Sequence, residues 1–285
     1  MKEQLRFLES EEIVKVVVQN DIFDVFTARK ICFRFDLATA ELLREIPFDV
    51  EGLGDTLTDI KYFERQDAYL IQSSENFIIG DFVYGFRLID EKISAMDIKN
   101  EYLAFATKEG LTLYRYPELL PMTTVKLERI NDICFVNEDR ELFIVTDHGN
   151  FLLNHISMDL KPLPQLSHRY RELRYKNDFI IGIKEDSIDF IEEDTLEVSI
   201  DYPEMSIPDE VLTAVRLCDD ELYVILGGSL GGVEIFNVET NTLFYKGKMV
   251  DGCAIETIHM DMEYQSVLIY TKKKGIEIHP FVDFV

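Results

Sequence analysis

Glu101-Tyr102-Leu103-Ala104-Phe105-Ala106-Thr107-Lys108-Glu109-Gly110-Leu111-Thr112-Leu113 reads as two short strands around a polar turn. The apolar run before the turn is too short for a helix, and glycine at the turn supplies the positive φ of a tight hairpin. The pattern returns at Glu141-Leu142-Phe143-Ile144-Val145-Thr146-Asp147-His148-Gly149-Asn150-Phe151 and at Val267-Leu268-Ile269-Tyr270-Thr271-Lys272-Lys273-Lys274-Gly275-Ile276-Glu277-Ile278. Fainter copies surround Lys30, Asn76, Ser187 and Gly232. The seven anchors Lys30, Asn76, Gly110, Gly149, Ser187, Gly232 and Gly275 recur about every 41 residues, the length of a four-stranded propeller blade. The reading is an all-β fold: one domain over residues 1–285, a seven-bladed β-propeller of four-stranded antiparallel blades. One weak anchor misjudged makes the ring six or eight blades.

A second element recurs 201 residues apart, as Phe35-Asp36-Leu37-Ala38-Thr39-Ala40-Glu41-Leu42 and Phe236-Asn237-Val238-Glu239-Thr240-Asn241-Thr242-Leu243. Asp or Asn after a strand opens a turn with its side chain, and the Thr returns the chain to an extended path. This element resembles the turn between the third and fourth strands of WD-repeat propellers. The Trp-Asp and Gly-His dipeptides of that family are absent. The resemblance implies a rigid ring whose turns meet partners on one rim.

The last repeat ends about three strands in, after Ile276 to Val285, while Leu5 and Phe7 stand ahead of the first full repeat. A strand over Gln4 to Leu8 would complete the last blade and remove an exposed edge. A short helix over Lys2 to Glu12 is the competing reading.

Composition narrows the function classes. The 54 acidic and 29 basic residues leave a formal charge of −25, which repels phosphate backbones and anionic lipid and attracts basic partners. Cys32, Cys134, Cys218 and Cys253 each lie in or beside apolar runs, with no metal-ligand spacing. They read as buried free thiols of a reducing compartment. The charged N-terminal stretch and the lack of a long apolar segment point to a cytoplasmic protein. With no Trp, the 20 Phe and 13 Tyr must supply the large packing groups.

No catalytic constellation stands out. The five histidines show no zinc-ligand spacing, and no Gly-x-Ser-x-Gly occurs. Gly227-Gly228-Ser229-Leu230-Gly231-Gly232 leads into a strand rather than a helix, so it reads as a long hairpin turn and not as a phosphate loop. His168-Arg169-Tyr170-Arg171-Glu172-Leu173-Arg174-Tyr175-Lys176 interleaves cations with tyrosines. Arg169, Arg171, Arg174 and Lys176 are therefore a candidate basic patch, the tyrosines alternatively being packing positions. Lys108, Glu109, Asp147, His148, Glu185, Asp186, Ser229, Lys272 and Lys273 sit in equivalent hairpin turns and form a candidate partner-binding rim. The expected function is a protein-interaction scaffold, without cofactor, binding a peptide or partner domain on one rim within a complex, the charge favouring a basic partner. The alternative is a propeller hydrolase or lyase with a metal in the central channel.

Overall fold

The computed structural model describes residues 5–280 apart from 20, 64–65, 91, 138–139, 167–169, 177–178, 185–186, 193–194, 203–204, 219–222, 238–239 and 262–265. Only the backbone is described at 6–7, 174–176, 179 and 199–202. The chain forms seven antiparallel sheets in a ring, each built from strands consecutive in sequence. The first blade is Ile13–Gln19, Ile22–Thr27, Ile31–Asp36 and Leu42–Pro47, running from the channel outward. Six sheets have four strands. The last has three among the described residues: Thr257–Asp261, Ser266–Thr271 and Gly275–Pro280.

Each blade is a layer between two others, and this explains the strand patterns. The second strands are buried on both faces, so Glu141–Thr146 is apolar along nearly all its length. The outermost strands face solvent, and Asp159–Pro162 is exposed throughout. Seven apolar clusters fill the gaps between neighbouring blades. Alternation divides one strand between two of them: Leu103 and Phe105 pack toward the second blade, Ala104 and Ala106 toward the fourth. Phenylalanine does the work expected of the absent tryptophan. Phe77 and Phe105 meet edge to face at 5.9 Å between the second and third blades, and Phe190 and Phe236 at 6.1 Å between the fifth and sixth.

All seven anchors stand at or immediately before the first residue of a third strand. A further regularity was present in the spacing. Thr27, Ser73, Thr107 and Thr146 each stand three residues before an anchor, at the end of a second strand. Thr107 and Thr146 accept turn N–H groups from Glu109 and His148 at 3.1 Å, and Thr271 accepts from Lys274 at 3.0 Å. The Phe-Asp and Phe-Asn elements join third to fourth strands, as expected. Asp36 Oδ1 accepts from Thr39 N and Oγ1 at 2.8 and 2.7 Å, and Asn237 Oδ1 from Thr240 N and Oγ1 at 2.8 and 2.9 Å.

The N-terminal strand is not found where it was expected. Arg6–Ser10 form a 3-10 helix. In a 3-10 turn residues three apart eclipse, so Leu5 and Leu8 share one face, which packs into the cluster between the last and first blades. Ring closure is also hydrogen-bonded. Thr257 Oγ1 donates to Val16 O at 3.2 Å, and Tyr270 OH donates to Ile13 O at 3.0 Å. The four cysteines are buried and form no disulfide with one another. No helix among the described residues is long and apolar enough to cross a membrane.

Candidate functional site: the central channel and its two ends

The inner strands Ile13–Gln19, Leu57–Phe63, Ala95–Lys99, Ile130–Val136, Glu172–Lys176, Leu212–Leu217 and Thr257–Asp261 surround the channel. Residues from all seven line a cavity of about 570 Å³. Strand register sorts the wall into levels. Lys15, Asp59, Ala95, Asp132, Glu172, Ala214 and Thr257 hold one equivalent position, near the turns between second and third strands. Two residues deeper stand Val17, Lys61, Asp97, Cys134, Arg174, Arg216 and His259.

Two carboxylates stitch neighbouring blades. An inner strand has an unpaired edge facing the channel, and its N–H groups need acceptors. Asp97 Oδ2 accepts from Phe135 N at 2.7 Å, and Asp132 Oδ2 accepts from Leu173 N at 2.6 Å. Their Oδ1 atoms accept from Ile98 N and Ile133 N, at 2.8 and 2.9 Å. Burial pushes the Asp97 carboxyl up to about 6, against the pull of its two N–H donors. Burial also raises Asp132, opposed mainly by the Lys61 ammonium. Lys61 Nζ lies 3.5 Å from Asp132 Oδ1, and Lys15 Nζ lies 3.2 Å from Asp59 Oδ1. Desolvation would lower Lys61, but Asp132, Glu172, Asp59 and Asp97 together hold it above the ordinary lysine value.

These groups do not make a metal site: no cluster of three His, Cys, Asp or Glu side chains able to hold a metal occurs among the described residues. Other buried carboxylates are likewise committed to the scaffold. Asp24 accepts from Arg34 Nε and Nη2, each at 2.8 Å, and is further bonded by Gln19 and Tyr69. Asp189 accepts from Tyr170 OH and Lys184 Nζ, both at 2.7 Å. Glu234 accepts from Ser206 Oγ at 2.8 Å and Ile207 N at 2.9 Å.

The glycine-rich turn does bind an anion, and the anion is the protein's own. Leu230 N and Gly232 N donate to Glu210 at 2.7 and 2.9 Å. A Cβ on Gly228 would stand 2.2 Å from Glu210 Oε2, so the glycine makes room for the carboxylate. The sequence spacing could not reveal this, because Glu210 lies on the preceding inter-blade link.

The candidate rim residues fall as follows. Lys108 and Glu109, Asp147 and His148, Ser229, and Lys272 and Lys273 occupy second-to-third-strand turns, which lie at one end of the ring. Glu185 and Asp186 lie outside the described residues. Asp147 is tied to Asn131 at 3.2 Å and faces Arg129 at 3.7 Å; Ser229 bonds the Val211 backbone; Lys272 faces Glu256 at 3.8 Å. The basic stretch is divided by the fold. Tyr170 is buried, Arg171 donates to Leu212 O at 3.1 Å, and Arg174 and Lys176 belong to the channel-lining strand of the fifth blade. Arg169 and the side chains of Arg174 and Lys176 lie outside the described residues.

The two ends differ in charge. On the rim end, the described residues of the second-to-third-strand turns and inter-blade links include eleven lysines and arginines against twelve carboxylates. On the opposite end, the first-to-second and third-to-fourth-strand turns hold six described carboxylates, Asp21, Glu41, Asp67, Glu101, Glu118 and Glu197, against Arg140 alone. That end also presents Val83 and Tyr84, 79% and 92% exposed at the tip of a second-blade turn. Two acidic runs of the sequence, Glu193-Asp194 and Asp219-Asp220-Glu221, lie outside the described residues.

No family model and no curated protein matches the chain. Among the solved structures that match, the crystal structure of the computationally designed Ika8 protein aligns over 94% of this chain and 96% of that one, with a TM-score of 0.66 and 11% identity. At that identity the likeness is one of fold. The protein is a seven-bladed β-propeller.

Proposed function

We propose that this propeller is a protein-interaction scaffold that takes a basic segment of a partner on its acidic end, with no bond-making chemistry of its own. The observation that carries this reading is the inequality of the ends: six described carboxylates against one arginine in the turns of one, and near balance over the turns and inter-blade links of the other. An excess of one sign on one face steers an oppositely charged partner and orients it on arrival. Val83 and Tyr84 add exposed apolar surface on the same end, and tyrosine is among the residues that anchor interfaces best. The Phe-Asp and Phe-Asn turns support a likeness to WD-repeat propellers, which fits membership of a larger complex. The rim of Lys108, Asp147 and Lys272 turns is the less suited face for a basic partner, because its cations offset its carboxylates.

The test is affinity capture from the native source with three baits, the eluates compared by mass spectrometry. One bait is wild type, one carries Asp67→Lys, Glu101→Lys and Glu118→Lys, and one carries Asp49→Lys, Asp55→Lys and Asp251→Lys on the other end. A basic partner retained by the first and third baits, lost from the second and released by salt supports the reading. Equal retention by all three, or loss only from the third, overturns it.

A further inference from the structure

We infer that the channel is a binding site for a small organic anion, a carboxylate or phosphate compound, with Arg216 as its anchor. This does not rest on the scaffold reading, since the site is the lumen and not the acidic end.

Arg216 stands on the inner strand of the sixth blade and lines the 570 Å³ cavity. Its only hydrogen bond among the described residues is a long one, Nη2 to Val18 O at 3.4 Å. Its Nε is buried and has no partner among the described residues. No described carboxylate lies within ion-pair distance of it. That is unusual in a chain with 54 carboxylates for 29 lysines and arginines, where acceptors abound. Two other cations of the channel behave as that ratio leads one to expect: Lys15 has Asp59 and Lys61 has Asp132. A guanidinium always carries its charge and presents a planar fork of donors, so it is poorly served by a single carbonyl. An under-bonded buried donor in the wall of a cavity points to an acceptor that occupies the cavity.

The cavity has the volume of a small-molecule site. Val17 stands at the level of Arg216, and Val18, Val215 and Leu217 also border the cavity beside it, so part of its surroundings is apolar and strengthens an ion pair formed there. The opposite wall, on the second and third blades, offers Lys61 and Asp97 at the same level. A ligand that meets both walls therefore has an anionic group at the Arg216 end and a polar group at the other.

Isothermal titration of the full chain with citrate, with inorganic phosphate and with chloride at matched ionic strength tests this and separates the two anion chemistries. Saturable one-site binding of citrate or phosphate is expected, with Kd below about 1 mM. The variant R216Q is expected to weaken it at least tenfold while R171Q leaves it unchanged, both folded by circular dichroism. Absence of saturable binding by either anion, or equal binding by R216Q, overturns the inference. A measurement on wild type alone covers a failure of R216Q to fold. Phenylglyoxal modifies arginines, and peptide mass spectrometry should show the bound anion slowing modification at Arg216 but not at exposed Arg29. An unchanged rate at Arg216 overturns the inference equally.

Discussion

Lys61 and Asp132 stand on the second and fourth blades, yet Nζ and Oδ1 lie 3.5 Å apart, so the pair spans the third blade across the channel. The carboxylate is buried and also accepts two backbone N–H groups, one of them Leu173 N on the fifth blade. One side chain thus couples three blades. In D132N an amide N–H faces a backbone N–H, and Lys61 loses its nearest partner. The expected loss is about 2–4 kcal/mol, read from the urea midpoint. For K61M the expected loss is only about 1 kcal/mol, because 35% of that side chain is already exposed to the lumen. A D132N midpoint equal to wild type would refute the coupling.

Asp97 sets a pH dependence of known sign. Its folded pKa, about 6, exceeds the unfolded value of about 3.9. Below both values the carboxyl is protonated in either state, and its contribution to stability is fully present. As pH rises toward and through 6 the folded state must accept a charge that the unfolded chain accepts more readily, and stability is lost. Between pH 4 and 7 the stability of wild type relative to D97N should fall by about 1–2 kcal/mol, allowing for water in the channel. A difference that is flat or rises with pH contradicts the assignment.

The glycine-rich turn predicts a steep ranking. Gly231 has φ +91°, and a Cβ there would stand 1.4 Å from Val250 O. Gly252 has φ +62° with open space around it. Thermal melts should place G231A at least about 3 kcal/mol below wild type and G252A within about 1 kcal/mol of it. G232A belongs between them, since its Cβ would meet Glu210 at 2.8 Å, a side chain that can move.

Ring closure can be probed at two points. L8A removes a buried side chain of the seam between the last and first blades and should cost about 2–4 kcal/mol. Y270F removes only the hydroxyl bonded to Ile13 O and should cost about 1 kcal/mol. If L8A unfolds at the wild-type midpoint, the 3-10 helix does not hold the seam.

Much of the ring was legible because its signals are local. A hairpin needs its anchor, its two apolar runs and its turn residues within about a dozen positions, so Gly110, Gly149 and Gly275 could be read directly. The Asp36–Thr39 and Asn237–Thr240 turns are four residues long and were equally open to reading. The Thr or Ser that recurs before several of these turns had the same local character and was overlooked. The N-terminal segment was misread because Leu5, Phe7 and Leu8 satisfy both a strand and a helical spacing over so short a span. In the 3-10 turn Leu5 and Leu8 both pack into the cluster between the last and first blades. The described rim turns share one end of the ring, and the balance of their charge emerges only when the inter-blade links are seen beside them.

Sequence by itself determined the repeat, the strand alternation and therefore the layered ring, because each depends on residues a few positions apart. Tertiary structure alone decided what the ring encloses. Lys61 meets Asp132 from 71 positions away, and Arg216 reaches the channel without a carboxylate partner among the described residues. Each blade contributes one residue per level to that wall, so no local spacing can carry the pattern. The same holds for the charge of the two ends, which is a sum over turns scattered along the whole chain and becomes a surface only when the ring closes.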